Sequence, residues 1–203
     1  EPESGSLWPP SLGNWYTYLM QFKDGVRIDL LLIPLDETTK YLTSDSLMKI
    51  LLDKDNIVEK EIISSDKDYW IKSPTSKNYL DSCIEFYWVA LYIHKGILRH
   101  EHLYAIDHLN IIRDELLRMI SWKVGYSYDY QLNLGKSYRW LERYLDQNLW
   151  NEILDTYQVT TYQALRDSLL LCMELFKSTA EEVATIFNYS YPHHYHLDIL
   201  EFM

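Results

Sequence analysis

The sequence predicts an α+β protein in which a β-hairpin, belonging to a larger sheet, precedes a bundle of about five helices. Two aromatic or aliphatic runs, at 15–22 and 26–33, flank a tight turn at 23–25, where Gly25 can supply positive φ. From Ser73 onward the apolar residues follow helical spacing. The length of 203 residues allows one large domain, or one domain and part of a second.

Charge and composition narrow the classes of partner. The chain has 19 Lys and Arg against 30 Asp and Glu, which gives a net charge of −11. Because phosphate neutralisation needs a basic excess, this balance argues against a nucleic-acid partner and favours a cationic small molecule. Eighteen Tyr and seven Trp suit a pocket for a ligand with apolar and hydroxyl faces, although most of these rings are expected in the core.

Nothing in the sequence points to secretion or to a membrane. Cys83 and Cys172 lack the spacing of a zinc knuckle or a disulfide framework, and no apolar run approaches the roughly 18–20 residues of a membrane span. The residues from Glu1 onward lack the basic-then-apolar pattern of a signal peptide. We therefore expect a cytoplasmic protein, and the missing initiator Met is a first indication of truncation.

The predicted hairpin needs further strands. Its second strand alternates at first and then becomes continuously apolar, as a central strand covered on both faces does. A hairpin alone is marginally stable in water, and nothing after Pro34 offers two more convincing strands. We expect the missing strands to precede Glu1, and we expect residues 1–13, which contain three Pro and two Gly, to form a loop.

The remainder of the chain is predicted to be helical apart from a polar stretch at 53–72. Short helices are expected near 36–42 and 45–52. Ser73 and Pro74 suit the N-cap and first position of a long helix that ends near Leu98. The later helices are predicted at about 102–123, 136–144 and 146–157, and from the capping box Thr160-x-x-Gln163 to about Asn188, with 191–203 as a short tail.

Asp29 is the first candidate site residue. An acidic side chain inside an apolar strand is costly unless it is paired, and strand carboxylates often hold a metal ion. Pairing with Arg27, or a position on a solvated face, explains Asp29 equally well. The D-x-D spacing of Asp53 and Asp55 fits a solvated turn better than a metal site, and Gly5-Ser6 lacks the strand that a phosphate-binding turn requires.

Acidic residues on two helices form a candidate cation site. Asp81 and Glu85 lie four residues apart, and Trp88 follows three residues later, so all three can share one face. Asp107 lies among apolar neighbours in the next helix, which predicts a partly buried carboxylate. The alternatives are an exposed acidic stripe beside a core Trp, and a packing hydrogen bond for Asp107.

Two basic residues are candidates for binding an anion. Arg118 lies within an apolar stretch, and Lys136 begins a predicted helix, whose N-terminal N–H groups favour phosphate. Ordinary exposure of long basic side chains at the bundle surface explains both as well. The histidines lack metal-binding spacing, and no nucleophile elbow, Walker loop or Rossmann fingerprint occurs.

Seven strings in order along the chain give a family resemblance. Together they resemble the aminoglycoside 6-adenylyltransferases, also called streptomycin adenylyltransferases, over essentially the whole sequence. The strings are LWPPSLGNW (7–15), DGVRIDL (24–30), LLDKD (51–55), DYWIKSPT (68–75), IDHLN (106–110), LLRM (116–119) and LGKSY (134–138).

The resemblance implies a two-domain enzyme with its substrates in the cleft between the domains. Residues 1–72 would be the later part of a nucleotidyltransferase domain with a mixed sheet, and residues 73–203 a helical substrate-binding domain. Asp29 would match the third metal carboxylate of the superfamily and act as general base. The G-S turn and D-x-D strand that supply the first two carboxylates do not occur in the expected place, so we expect an N-terminally truncated, weakly active or inactive chain.

The implied reaction is transfer of AMP from ATP to a hydroxyl of streptomycin, with Mg²⁺ at the phosphates. This modification of the drug would confer antibiotic resistance. By resemblance, Arg118 and Lys136 would bind the triphosphate. The guanidinium-bearing antibiotic would contact four residues: Asp81, Glu85, Trp88 and Asp107. We expect a monomer or weak homodimer, since an unpaired sheet edge invites pairing.

Two alternatives remain at this point. A non-catalytic helical module could bind a cationic aminoglycoside, or a protein partner, without modifying it. A related adenylyltransferase could act on another aminoglycoside or on a lincosamide.

Overall fold

The structure is a computed structural model, and it describes residues 15–58 and 62–203. The chain divides into two compact units between Asp68 and Tyr69. The predicted boundary after residue 72 falls four residues later. No helix in the described ranges is long and apolar enough to cross a bilayer. The predicted loop at 1–13, which includes Gly5-Ser6, lies outside the described residues.

The first unit contains the predicted hairpin. Strand β1 (Tyr16–Gln21) pairs with β2 (Arg27–Leu32) in antiparallel register, with Leu19 opposite Asp29. Gly25 has a φ of +87°, a conformation that suits glycine, so the turn prediction is confirmed. A 3₁₀ turn at Leu35–Glu37 leads into the short helix α1 (Thr38–Leu42).

The second short helix predicted near 45–52 is wrong. This segment is irregular, because its polar side chains satisfy backbone groups in other ways. The Asp45 carboxylate accepts a hydrogen bond from the Leu47 N–H at 2.7 Å, and Ser46 exchanges hydrogen bonds with the backbone of Ser65 at 2.7 and 2.8 Å. These contacts compete with the hydrogen bonds that a helix would need.

Asp53 belongs to a polar turn, as the sequence favours. Its two carboxylate oxygens accept hydrogen bonds from the N–H groups of Ile57 at 3.0 Å and Val58 at 2.9 Å. The bond from Val58, followed by that from Ile57, lowers the pKa of Asp53. Both carboxylate oxygens of Asp53 therefore stabilise the backbone of the turn.

The second unit is a bundle of five helices, α2 to α6. Helices α2 and α3 pack along their length, and α5 packs against both. Its core is continuous, with Phe86 of α2 stacked on Phe176 of α5 at 3.8 Å between ring centroids. The helices span Ser76–Leu98 (α2), His102–Tyr126 (α3), Gln147–Asp155 (α4), Tyr162–Phe187 (α5) and His193–Phe202 (α6).

Two helix starts differ from the prediction. Thr75, not Ser73, caps α2, and its side chain forms a reciprocal capping box with Asn78. Pro74 therefore lies before the helix, where its carbonyl accepts a hydrogen bond from Tyr189. At α5 the cap is Thr161 rather than Thr160, because its hydroxyl accepts the hydrogen bond from the Ala164 N–H.

Two further segments differ from their predicted structure. The predicted helix at 136–144 consists of two short 3₁₀ turns, since Ser137 and Tyr138 adopt positive φ angles that interrupt helical geometry. The predicted tail contains α6, which packs on α2 and buries His196 and Ile199.

Candidate functional site

A polar cleft lies on the second unit where the segment before α2 meets the first turns of α2 and the later part of α3. Its volume is about 360 Å³. It combines cationic, anionic, amide and aromatic side chains within one concave surface. The lining residues are Lys72, Ser73, Pro74, Asn78, Asp81, Arg118 and Trp122.

Arg118 brings a half-exposed guanidinium to this cleft. Its Nη1 forms an ion pair with Glu115 Oε1 at 3.1 Å, one turn earlier on α3. Glu115 is itself buried, and its other oxygen accepts a hydrogen bond from Ser82 Oγ of α2 at 2.6 Å. The buried carboxylate therefore orients the arginine, while the exposed part of the guanidinium can still bind an anion.

Glu115 is a residue that the sequence analysis missed. The same signal that singled out Asp29, an acid beside apolar residues, also marks Glu115, which precedes Leu116 and Leu117. Burial raises its pKa, and this effect outweighs the opposing hydrogen bond from Ser82 and the charge of Arg118. A carboxylate with a raised pKa beside a cleft is a common feature of functional sites.

Replacing Glu115 with Gln should raise the slope of stability against pH. Because the pKa of Glu115 is raised in the folded state, this side chain binds more protons in the native protein than in the unfolded chain, and its contribution to the free energy of unfolding falls as pH rises above about 4.5. Urea denaturation between pH 4.5 and 7 measures this slope. Glu152→Gln, an exposed substitution on α4, is the control. An equal slope in wild type and Glu115→Gln would contradict the prediction.

Asp81 brings the opposite charge to the cleft. Its half-exposed carboxylate forms an ion pair with Lys77 one turn earlier on α2, and this pair is exposed enough for an external cation to compete with it. Glu85 follows one turn later, is exposed, and has no ion-pair partner among the residues that the structure describes. The two acids predicted from α2 therefore occupy adjacent turns beside the cleft.

The other predicted site residues of the second unit lie elsewhere. Asp107 is exposed, not partly buried, because the buried stripe of α3 runs through Ala105 and Leu109. Asp107 lies eight positions before Glu115, which corresponds to about 12 Å along the helix. Trp88 is 60 % exposed and lines a different groove, beside α6.

Lys136 does not stand at the N-terminus of an α-helix. It is exposed and opens a three-residue 3₁₀ turn that contains Ser137 in a non-helical conformation. Such a turn offers no aligned set of N–H groups and no helix dipole for a phosphate. The sequence-based reason for placing an anion beside Lys136 is therefore absent.

Asp29 lies on β2 of the first unit with a half-exposed side chain. Arg27 donates a hydrogen bond to each carboxylate oxygen of Asp29, from Nε to Oδ1 at 2.8 Å and from Nη2 to Oδ2 at 2.9 Å. Within residues 15–58 and 62–203, no three His, Cys, Asp or Glu side chains are grouped so that they could hold a metal ion. The described residues therefore do not fit the three-carboxylate metal site that the resemblance implies.

Comparisons with known proteins agree with the resemblance. Residues 1–203 match the family described as streptomycin adenylyltransferase. Curated relatives named aminoglycoside 6-adenylyltransferase include one from Staphylococcus aureus, 43% identical over 96% of this chain and 70% of that protein. One from Bacillus subtilis (strain 168) is 42% identical over 95% of this chain and 68% of that protein.

A solved structure extends this agreement to the fold. The crystal structure of an aminoglycoside 6-adenyltransferase from Bacillus subtilis aligns with 99% of this chain and 74% of that chain, at 40% sequence identity and a TM-score of 0.62. The α+β architecture predicted from the sequence is thus found in a related protein of known structure. The chain belongs to the streptomycin adenylyltransferase family.

Proposed function

We propose that this protein transfers AMP from ATP to a hydroxyl group of an aminoglycoside, with streptomycin as the substrate. One observation of the structure carries the proposal. Arg118, predicted for the triphosphate, and Asp81, predicted for the antibiotic, line the same cleft. A site that joins a polyanion to a polycation needs both charges within reach, and this cleft provides them together with Lys72 and Trp122.

The charged residues of the cleft, and Glu85 one turn beyond it, have roles in this proposal. Arg118 and Lys72 bind phosphate oxygens and draw negative charge away from the α-phosphorus as the pyrophosphate departs. Asp81 and Glu85 pair with guanidinium groups of streptomycin, whose planar donors match a carboxylate. We further propose that the second unit is the substrate-binding domain, and that the first unit belongs to the nucleotidyltransferase domain.

The proposed chemical step is an in-line displacement at the α-phosphorus of ATP. The antibiotic hydroxyl oxygen forms the new P–O bond, and its proton passes to the carboxylate of Asp29. The bond to the pyrophosphate oxygen breaks, and pyrophosphate leaves with that electron pair. Before this transfer, the Asp29 carboxylate must release Arg27 and accept a hydrogen bond from the antibiotic hydroxyl. No step is assigned to Mg²⁺, because the described residues do not group enough ligands for it.

We also propose that the 203-residue chain by itself performs this transfer slowly or not at all. Asp29 is the single acidic residue on the two described strands, and its carboxylate forms an ion pair with Arg27. Mass spectrometry of streptomycin after incubation with ATP, Mg²⁺ and the purified chain detects adenylylated product. Rapid conversion would refute this part of the proposal while supporting the reaction itself.

Separate substitutions at the cleft should separate the two substrates. Arg118→Met should weaken ATP binding about tenfold, because it removes one charged phosphate contact, and should leave streptomycin binding within about twofold. Asp81→Asn should weaken streptomycin binding about tenfold and leave ATP binding within about twofold. Isothermal titration with each ligand measures both constants. Exposed control variants are Arg99→Met and Glu152→Gln.

The same titrations distinguish the alternatives. Streptomycin binding without any ATP binding would favour the non-catalytic module. If Asp107→Asn weakens streptomycin binding and Asp81→Asn does not, the antibiotic does not occupy the cleft. Competition between streptomycin and other aminoglycosides or a lincosamide tests the choice of substrate.

A further inference from the structure

A second concave site lies between α2 and α6, and it shares no lining residue with the polar cleft. Its volume is about 360 Å³. Three of its seven lining side chains are aromatic, three are aliphatic, and one is charged. The residues are Ile84, Tyr87, Trp88, Leu91, Tyr195, Asp198 and Ile199.

The aromatic walls of this groove are held in place by contacts behind them. Tyr87 is 2 % exposed, and its hydroxyl is hydrogen-bonded to that of Tyr191 and lies 3.4 Å from His196 Nδ1. The Tyr195 ring lies 6.4 Å from that of Tyr87. Trp88 donates its indole N–H to the Tyr92 hydroxyl at 2.7 Å. These contacts restrict the Tyr87 and Trp88 side chains, which lowers the ordering cost of binding a ligand.

Asp198 gives the groove an unneutralised negative charge. It is the only charged residue in the lining, and it forms no side-chain hydrogen bond or ion pair with any residue that the structure describes. The net charge of −11 adds a field that attracts cations. Aromatic faces beside a free carboxylate are the surroundings that organic ammonium groups prefer.

We propose that the groove between α2 and α6 binds an organic cation, with Trp88 and Tyr195 supplying the accessible aromatic faces, Tyr87 packed behind them, and Asp198 the opposite charge. This site is separate from the one proposed for adenylyl transfer and does not depend on it. A neutral apolar ligand would fill the same space and displace water from Asp198. It would give this carboxylate no partner in return, which costs free energy.

Choline and its neutral isostere 3,3-dimethylbutan-1-ol test the charge requirement. The two probes have the same shape, so a difference in affinity reports the positive charge. Titrations of the ¹⁵N-labelled chain at pH 8, where histidine is ordinarily neutral, follow the backbone amides of α6 and the Trp88 indole N–H. The indole signal is identified by its absence in Trp88→Phe. We expect choline to bind at least about fivefold more tightly than the neutral alcohol.

Matched variants test the residues. Trp88→Leu should weaken choline binding about fivefold, whereas Trp88→Phe, which keeps an aromatic face, should retain most of it. Asp198→Asn should remove the preference for choline over the alcohol, while Glu201→Gln, also exposed on α6, should not.

Three outcomes would overturn the proposal. The first is equal affinity for the two probes, which would make the groove an unselective apolar surface. The second is an Asp198→Asn variant that binds choline like the wild type. The third is absence of choline binding in a chain that sedimentation shows to be a dimer, which would make the groove an interface between copies.

Discussion

Replacing Phe86 with Ala should lower the free energy of unfolding by about 4 kcal/mol. The Phe86 ring is fully buried, stacks on Phe176 of α5 and meets Tyr87 edge-on at 5.2 Å. Removing it deletes the stacked contact with Phe176 and leaves a cavity between α2 and α5. Chemical denaturation at pH 7 measures the loss.

The exposed position Leu80 on the same helix provides the control for Phe86. Leu80→Ala removes a side chain that is 42 % exposed, so its cost should stay below about 1 kcal/mol. Equal costs for the two variants would contradict the placement of Phe86 at the centre of the bundle. Because the Asp81 carboxylate lies on the outer part of this helix and does not contact Phe86, folded Phe86→Ala protein should bind streptomycin with wild-type affinity.

Replacing Arg113 with Met should lower the free energy of unfolding by about 3 kcal/mol. The side chain is 4 % exposed, and its Nε and Nη2 donate to the Thr156 carbonyl at 3.0 and 2.8 Å. The guanidinium also lies 4.1 Å from the centre of the Tyr157 ring and donates to the Asn110 side chain. Met would fill similar space but leave the buried carbonyl without a donor.

Arg113 is stabilised without a carboxylate partner, since no ion pair within the described ranges includes it. Thr156 is the C-cap of α4, where the helix dipole is negative, so the end of that helix supplies the opposite charge. Arg99→Met, which changes an exposed arginine at the end of α2, should cost less than about 0.5 kcal/mol. A loss below about 1 kcal/mol in Arg113→Met would show that α4 is held by other contacts.

The outer part of α2 contributes to two sites of different chemistry. Asp81 lies beside α3 and the segment before α2, where Arg118 and Lys72 make the surface polar. Trp88 lies seven residues later, about 10 Å along the axis, where α6 makes the surface aromatic. The predicted antibiotic-binding residues of α2 are thereby divided between two places on the second unit, and Asp107 of α3 lines neither.

Local sequence signals determined much of the fold. The turn at 23–25 fixed the hairpin because glycine adopts its positive φ readily, and apolar spacing located α2, α3 and α5 to within a few residues. The seven strings identified the family, since several short matches in the right order are far more specific than one motif. Each of these features depends on residues that are neighbours along the chain.

Only the tertiary structure decided which polar residues are buried and which meet. Asp107 and Glu115 both stand among apolar residues in the sequence, yet only Glu115 faces α2, where Ser82 and Arg118 stabilise it. The helix α6 forms against α2 although its sequence reads as a tail. Burial and partnership depend on how whole helices pack against one another, and that packing is set by the summed contacts of the core.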